Sequence, residues 1–289
     1  MFNRKQLFRR VAIVGTGFMG ASLGLAIKKK GLAQTIIGIG RNEKSLKEAV
    51  AAGAIDESTT DVKKGVVNAD LIILAAPVSG ILETLDTLAA EHRRGCMITD
   101  LGSTKAIIVE RAEKALHHSV LFVGSHPLVG SEKRGAINAN SQLYEGSTCI
   151  MTPTDKTNRL AKEKMKQFWS QLGSNVKLMT PQEHDDALAY VSHLPHVVAF
   201  ALMKAIPDNM MDVAATGLRD TTRIAGSDPL VWRDIALSNN KALLKALDEA
   251  VKNLSSIRKS IVTRDRDGLA EIFKQAKTKR ELLEKTHGN

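Results

Sequence analysis

Gly15, Gly17 and Gly20 stand at G-x-G-x-x-G spacing, directly after the apolar run Val11-Ala12-Ile13-Val14. From Met19 on, Met19, Leu23, Ala26 and Ile27 recur at helical intervals, and Lys28-Lys29-Lys30-Gly31 reads as a helix end. A glycine turn between strand and helix serves a tight reversal, close approach of a pyrophosphate to bare backbone, and close helix-on-strand packing. The helix start adds free N–H groups and a positive dipole end. The chemistry implied is dinucleotide binding, with Gly15, Gly17, Phe18, Met19 and Gly20 at the phosphates.

Hydride transfer to a nicotinamide from a carbinol needs a base for the hydroxyl proton, and histidine suits that task near neutrality. His126 is the candidate, in Gly124-Ser125-His126-Pro127, where Pro127 biases it toward an extended conformation at a strand's lip. Asp100-Leu101-Gly102-Ser103 ends the strand before it and brings a second reactive turn to the same edge. Further on, Ser192-His193-Leu194-Pro195-His196 places two histidines around a helix-kinking proline, which points to a polar pocket rather than pure core. Arg219 and Arg223 lie one helical face apart. Arg223 can grip a carboxylate bidentately, or form an ordinary salt bridge with Asp220, Asp228 or Asp234; local sequence alone favours the salt bridge.

These groups need a scaffold that delivers them to one edge. After the first helix, Thr35–Gly40 reads as a second strand. An NAD-selective fold usually carries Asp or Glu at that strand's end. Here Gly40 is followed by Arg41, which either faces a 2′-phosphate or stacks on the adenine; the first option tips the reading toward NADP, the second leaves NAD acceptable. Ser45–Ala52 reads as a helix closed by Gly53. Leu71–Pro77 reads as a third strand, whose end, including Ala75 and Pro77, passes over the cofactor. Helices over 81–90, 106–116 and 158–172 alternate with strands at 97–99, 121–123, 148–151 and 176–178. That alternation predicts an α/β fold with a Rossmann-like, doubly wound parallel sheet over residues 1–180. Residues 181–289 show no strand pattern and read as an all-helical C-terminal domain. It has an apolar stripe at Leu243, Leu247, Val251, Leu254, Ile257 and Ile261, which serves either as its core or as a dimer interface.

Composition narrows the classes. The 289 residues carry a formal net charge of +10, but the basic residues are spread along the chain and aromatics make up 4%. That leaves little for a base-stacking surface and gathers no basic stripe in the sequence, which argues against nucleic acid and for anionic small molecules. The basic N-terminus lacks a signal peptide's apolar core, and no apolar run is expected to span a membrane. Cys96 and Cys149, without metal-ligand spacing, read as buried thiols in a reducing cytoplasm.

Six ordered blocks then become specific. They are GTGFMG from Gly15, DLGSTK from Asp100, HPLVGSE from His126, SHLPH from Ser192, RDTTRIA from Arg219 and DPLVWRD from Asp228. Together they resemble the prephenate/arogenate dehydrogenase family of tyrosine biosynthesis, over nearly the whole chain. The resemblance implies oxidative decarboxylation of prephenate to 4-hydroxyphenylpyruvate, or of arogenate to tyrosine, with hydride passed to NAD or NADP and no metal. It implies that His126 accepts the proton of the ring C4 hydroxyl and that Ser103 hydrogen-bonds that hydroxyl or His126. It implies that Arg223 binds the ring carboxylate, and that His193, His196, Ser131 and Glu132 order the pocket. It also implies a homodimer through the helical halves, and a form without a fused chorismate mutase or C-terminal regulatory domain. Two alternatives remain: another two-domain dehydrogenase for a hydroxy acid or imine, and a non-catalytic NAD(P)-binding sensor or basic nucleic-acid-associated module.

Overall fold

In the computed structural model, which describes residues 6–89, 95–130 and 133–287, the first strand sends its side chains alternately into two cores. β1 (Phe8–Val14) places Phe8, Val11 and Ile13 in one and Ala12 and Val14 in the other. An apolar run without alternation is the pattern of a parallel strand covered on both faces. The chain continues through α1 (Phe18–Lys30), β2 (Ala33–Ile39), α2 (Glu43–Ala51), β3 (Glu57–Thr59), α3 (Val62–Gly65), β4 (Leu71–Leu74), α4 (Val78–Ala89), β5 (Met97–Asp100) and α5 (Ala106–Ala115). Then follow β6 (Leu121–Pro127), β7 (Thr148–Thr152), α6 (Arg159–Gln171) and β8 (Asn175–Leu178).

The eight strands form one sheet in the order β3-β2-β1-β4-β5-β6-β7-β8. Its first six follow the doubly wound dinucleotide-binding order, with the chain reversing direction across the sheet between β1 and β4. The expectation of a parallel sheet needs one correction: β6 and β7 pair antiparallel, with His126 opposite Ile150. A parallel return requires a crossover helix of a dozen or more residues. Between Leu128 and Ser147 the described residues hold only a single 3₁₀ turn, Ala136–Asn138. β3 also had no apolar signal, because its residues Glu57, Ser58 and Thr59 sit at a mostly exposed sheet edge. Trp169, Phe168 and Tyr144 are fully buried behind the sheet, each contributing about 1.5–3 kcal/mol of apolar burial or more.

The helical part comprises α7 (Pro181–Leu188), α8 (Leu194–Ala205), α9 (Thr216–Thr222), α10 (Pro229–Ser238), α11 (Asn240–Thr263) and α12 (Arg266–His287). Thr180 and Glu183 start α7 with a reciprocal capping box. Next to Pro195 the helical run is interrupted as a π-helical stretch, Ala189–His193, between α7 and α8. Proline has no N–H and its ring collides with the carbonyl four residues back, so the wider turn absorbs the conflict. The segment Pro181–Ala205 is long and apolar enough to cross a membrane by length and composition, at a mean hydropathy of 1.2, contrary to the sequence expectation. Its buried His184, Asp185 and His193 are instead hydrogen-bonded inside the folded unit.

The chain forms two compact units, Met1–Asn240 and Lys241–Asn289. The second consists of α11 and α12, joined at Arg264, which takes a positive φ of 53°. Within the predicted stripe Leu243 is buried, whereas Val251, Leu254 and Ile261 are 53%, 61% and 59% exposed. One chain does not close that stripe into a core.

Candidate active site

The glycine turn after β1 divides its labour by position. Gly15 has a φ of +98°, and a Cβ there would lie 2.5 Å from the Ala75 carbonyl oxygen. A Cβ on Gly20 would lie 1.9 Å from the carbonyl oxygen of Gly15. Both are glycines because backbone passes against them, and the backbone meeting Gly15 is the end of β4. Gly17 differs: it is exposed, and a Cβ there would meet nothing within 4 Å. It is the N-cap of α1, makes no side-chain cap, and the first turn carries no acidic residue. Uncapped N–H groups beside bare backbone form a cradle that fits a pyrophosphate. Phe18 and Met19 are half-buried in that turn, and the Met19 carbonyl is held by the Tyr144 hydroxyl at 2.8 Å. Pro77 is exposed just past Ala75, at the start of α4. Arg41 is exposed at the turn after β2, where Asn42 caps α2 through its side chain.

The end of β5 is organised by charge. Asp100 and Lys105 are both completely buried and form an ion pair across the turn that carries Ser103. Asp100 also accepts from the Gly102 N–H at 2.9 Å and the Ser125 N–H at 3.1 Å, and Lys105 Nζ donates to the Ser125 carbonyl at 2.9 Å. Burial pulls the Lys105 ammonium below its ordinary range, and Asp100 opposes that pull. The pair therefore ties the Ser103 turn to β6 one residue before His126.

His126 lies within β6 with only 9% of its surface exposed. Its Nδ1 is 2.8 Å from Nε2 of His184, and His184 Nδ1 is 2.7 Å from Asp185 Oδ1. The Asp185 carboxylate also accepts the backbone N–H groups of Lys105 at 2.7 Å and Ala106 at 2.9 Å, at the start of α5. Burial drives His126 well below the usual histidine value, reinforced by His184, Lys105 and His193. His184 is likewise lowered by burial, with Asp185 opposing. Among the described residues the Ser103 hydroxyl makes no hydrogen bond to His126, whose Nδ1 is taken by His184, which leaves the substrate hydroxyl as its expected partner. The Ser103 backbone instead lies beside His193.

The π-helical stretch and α8 supply the facing groups. His193 is buried, with Nδ1 3.2 Å from Asn239 Nδ2, and among the described residues its Nε2 has no side-chain partner. Burial lowers it to about 4. His196 stacks on Trp232 with ring centres 3.6 Å apart, and its Nδ1–H donates to the Ser192 carbonyl at 2.9 Å. Burial lowers its pKa too, and Arg223 adds to the effect. Arg223 is exposed, and the salt bridge that local sequence favoured does not form: Asp228 pairs with Arg134, and Asp234 pairs with Arg233 and accepts from Ser79. His126, His193, His196 and Arg223 thus form a continuous run, each close enough to shift the next electrostatically. Ser131 and Glu132 lie outside the described residues.

His184, Asp185, Asn239 and the Lys105–Asp100 pair were not singled out from sequence. The available signal was the capping sequence Thr180-Pro181-Gln182-Glu183 followed at once by His184-Asp185. It fixes that pair in the first turns of α7. A glycine cradle, a buried histidine with a lowered pKa and an arginine without an ion pair among the described residues can respectively hold a dinucleotide, accept a hydroxyl proton and bind a carboxylate.

Comparison with known proteins gives the same picture. Residues 23–178 match the family described as prephenate dehydrogenase, nucleotide-binding domain, and residues 180–275 match prephenate dehydrogenase, dimerization domain. The chain is 36% identical to prephenate dehydrogenase of Bacillus subtilis, over 96% of this chain and 77% of the relative. It is 32% identical to cyclohexadienyl dehydrogenase of Zymomonas mobilis, over 97% and 98%. The solved structure of prephenate dehydrogenase from A. aeolicus, in complex with hydroxyphenyl propionate and NAD+, superposes with a TM-score of 0.88 at 36% identity, covering 95% of this chain and 98% of that one.

Proposed function

The chain belongs to the prephenate dehydrogenase family, and from that membership we propose that it oxidatively decarboxylates prephenate to 4-hydroxyphenylpyruvate, or arogenate to tyrosine. The observation that carries this reading is His126: its Nδ1 is committed to His184, which leaves Nε2 to act as the base, and His193 is close enough to shift it electrostatically. Gly15, Gly17, Phe18, Met19 and Gly20, with Ala75 and Pro77 opposite, are the residues that would hold the dinucleotide; when bound, its nicotinamide supplies the hydride acceptor.

In this reading His126 Nε2 takes the proton from the ring C4 hydroxyl as the C4 oxygen becomes a carbonyl. Arg223 pairs with the ring carboxylate, so the anion is held until its carbon–carbon bond breaks. The electron pair of that bond enters the ring, which becomes aromatic, and His126 returns its proton to the resulting phenolate oxygen. A histidine with a lowered pKa suits both directions, since it stays free to accept and readily gives back. Ser103, at the lip of β5, hydrogen-bonds the C4 hydroxyl directly; His193 and His196 line the pocket.

NAD+ is the first cofactor to test, because the A. aeolicus relative was crystallised with it. Arg41, an exposed turn residue, no longer tips the reading to NADP. We further assign the substrate and dimerisation role to residues 181–289. The exposed apolar residues of α11 and α12 and the matched dimerization domain support a homodimer. The buried thiols of Cys96 and Cys149, neither of them in a disulfide, agree with a cytoplasmic enzyme.

The test is turnover of prephenate and arogenate, each with NAD+ and NADP+, in the wild type and in His126→Asn. Turnover in at least one of the four combinations, lowered about 10²–10⁴-fold by the substitution with little change in KM, is expected. No turnover in any combination, or a fully active His126→Asn, rejects the reading.

A further inference from the structure

The His184–Asp185 pair is reached through His126 Nδ1. Resting on the dehydrogenase reading above, we propose that His184 and Asp185 are positioning residues that lock His126 in the tautomer with hydrogen on Nδ1, keeping Nε2 as its basic nitrogen.

The argument follows the donors and acceptors in order. Both oxygens of Asp185 already accept backbone N–H groups, Oδ1 from Lys105 and Oδ2 from Ala106. An acceptor in that position obliges the neighbouring ring nitrogen, His184 Nδ1, to be the donor. A neutral imidazole carries one hydrogen, so His184 Nε2 is then an acceptor. Its burial at 0% exposure favours that neutral form. The atom 2.8 Å away, His126 Nδ1, must therefore supply the hydrogen. What remains on His126 is the lone pair of Nε2. The wrong tautomer would present an N–H to the substrate hydroxyl and could not accept its proton, the failure seen when a triad carboxylate is neutralised.

The anchor is rigid for reasons outside the site. The α7 capping box fixes the turn, the Asp185 carbonyl accepts from Asn239 Nδ2 at 2.7 Å, and the two backbone donors belong to the first residues of α5. The charged and titratable groups packed around His126 are His184 and Asp185 from α7, Lys105 from the turn before α5, Asp100 from β5, His193 from the π-helical stretch and Cys149 from β7. Lys105 and His193 oppose a lasting positive charge on His126, and the Cys149 thiol is held neutral by burial. The proton gained at Nε2 is therefore returned rather than stored.

The experiment compares wild type, His184→Gln, His184→Leu and His126→Asn in steady-state turnover with prephenate and NAD+. It is combined with imidazole ¹⁵N spectra of the substrate-free proteins, in which His126→Asn assigns the His126 signals. Leu removes the acceptor, whereas Gln can place an amide oxygen near the position of Nε2. Expected are an unprotonated Nε2 and protonated Nδ1 on His126 in the wild type. In His184→Leu, kcat falls about 10²-fold with KM within about twofold and the tautomers mix. In His184→Gln, most of the turnover and the wild-type tautomer return. A wild-type His126 protonated on Nε2, or an undiminished kcat in His184→Leu, overturns the proposal even if His126→Asn is inactive. If the wild type turns over neither prephenate nor arogenate, the dehydrogenase reading fails, while the ¹⁵N spectrum still decides the tautomer. Should His184→Leu not fold, the wild-type spectrum and the Gln variant carry the test.

Discussion

Lys105 and Asp100 are completely buried and paired with each other across the turn that presents Ser103. The pair also gathers Gly102 and both backbone groups of Ser125, so it fastens two strand ends together. Removing one partner strands the other charge in the interior. Lys105→Met is expected to lower unfolding free energy by about 3–5 kcal/mol, and the double variant Asp100→Asn/Lys105→Met by clearly less than the sum of the two single changes. Urea titration of the four proteins measures the coupling; additive losses would show that the pair does not act as a unit.

The glycine turn separates folding from binding. Gly15→Ala forces a positive φ and a Cβ 2.5 Å from the Ala75 carbonyl oxygen, so a loss on the order of 1–3 kcal/mol is expected. Gly17→Ala meets nothing in the protein and has an ordinary φ of −68°, so its melting temperature should match wild type. Its affinity for the dinucleotide should instead drop by about tenfold or more, an expense of about 1.4 kcal/mol per tenfold. Calorimetric titration with NAD+ reads the difference; unchanged affinity would move the pyrophosphate away from Gly17.

Among the described residues Arg223 has no ion pair, so replacing it is expected to cost the fold little. Arg223→Ala is expected to raise KM for the substrate about 10- to 100-fold, the loss of a charge-assisted carboxylate contact of roughly 1.5–3 kcal/mol. Melting temperature should stay within a few degrees of wild type. An unaltered KM removes the arginine from carboxylate binding.

Acid should destabilise the protein through its buried histidines. His126, His184 and His193 all have lowered values, His193 to about 4. In the unfolded chain each titrates near ~6.5. Below that pH the unfolded state binds more protons than the folded one, so stability is full above ~6.5 and falls as the pH drops toward 4. His193 alone accounts for a loss on the order of 3 kcal/mol between pH 7 and pH 4. Melting curves across that range check the sign; a melting temperature that rises on acidification would contradict it. The same lowering places the acid limb of kcat/KM below ~6.5.

What could be read from the chain and what could not divides along sequence separation. Gly15 to Gly20 declare a strand–turn–helix within a dozen residues, and His126-Pro127 declares an extended histidine locally. The partner of that histidine comes from 58 residues further on. Nothing in Glu183-His184-Asp185-Asp186 tells a reader which of its charges turns inward. Lys105 reads as one more surface lysine until its fully buried partner is seen. Arg223 shows the opposite error, since three nearby aspartates suggest a salt bridge and the fold pairs two of them, Asp228 and Asp234, with other arginines. The strand at 148–151 is legible, but its antiparallel pairing with β6 is not, because strand direction is not written in apolar content.

The π-helical stretch at Ala189–His193 sets the helical phase of everything beyond it. Each residue in an α-helix advances the side chains by about 100°, so a single-codon deletion there would swing the whole Trp232-facing side of α8 away from α10. His196 would leave its ring partner although neither residue had changed. Among chains of this shape, a gap of one position at that point would thus mark a protein that keeps its dinucleotide fold while its substrate wall has turned aside.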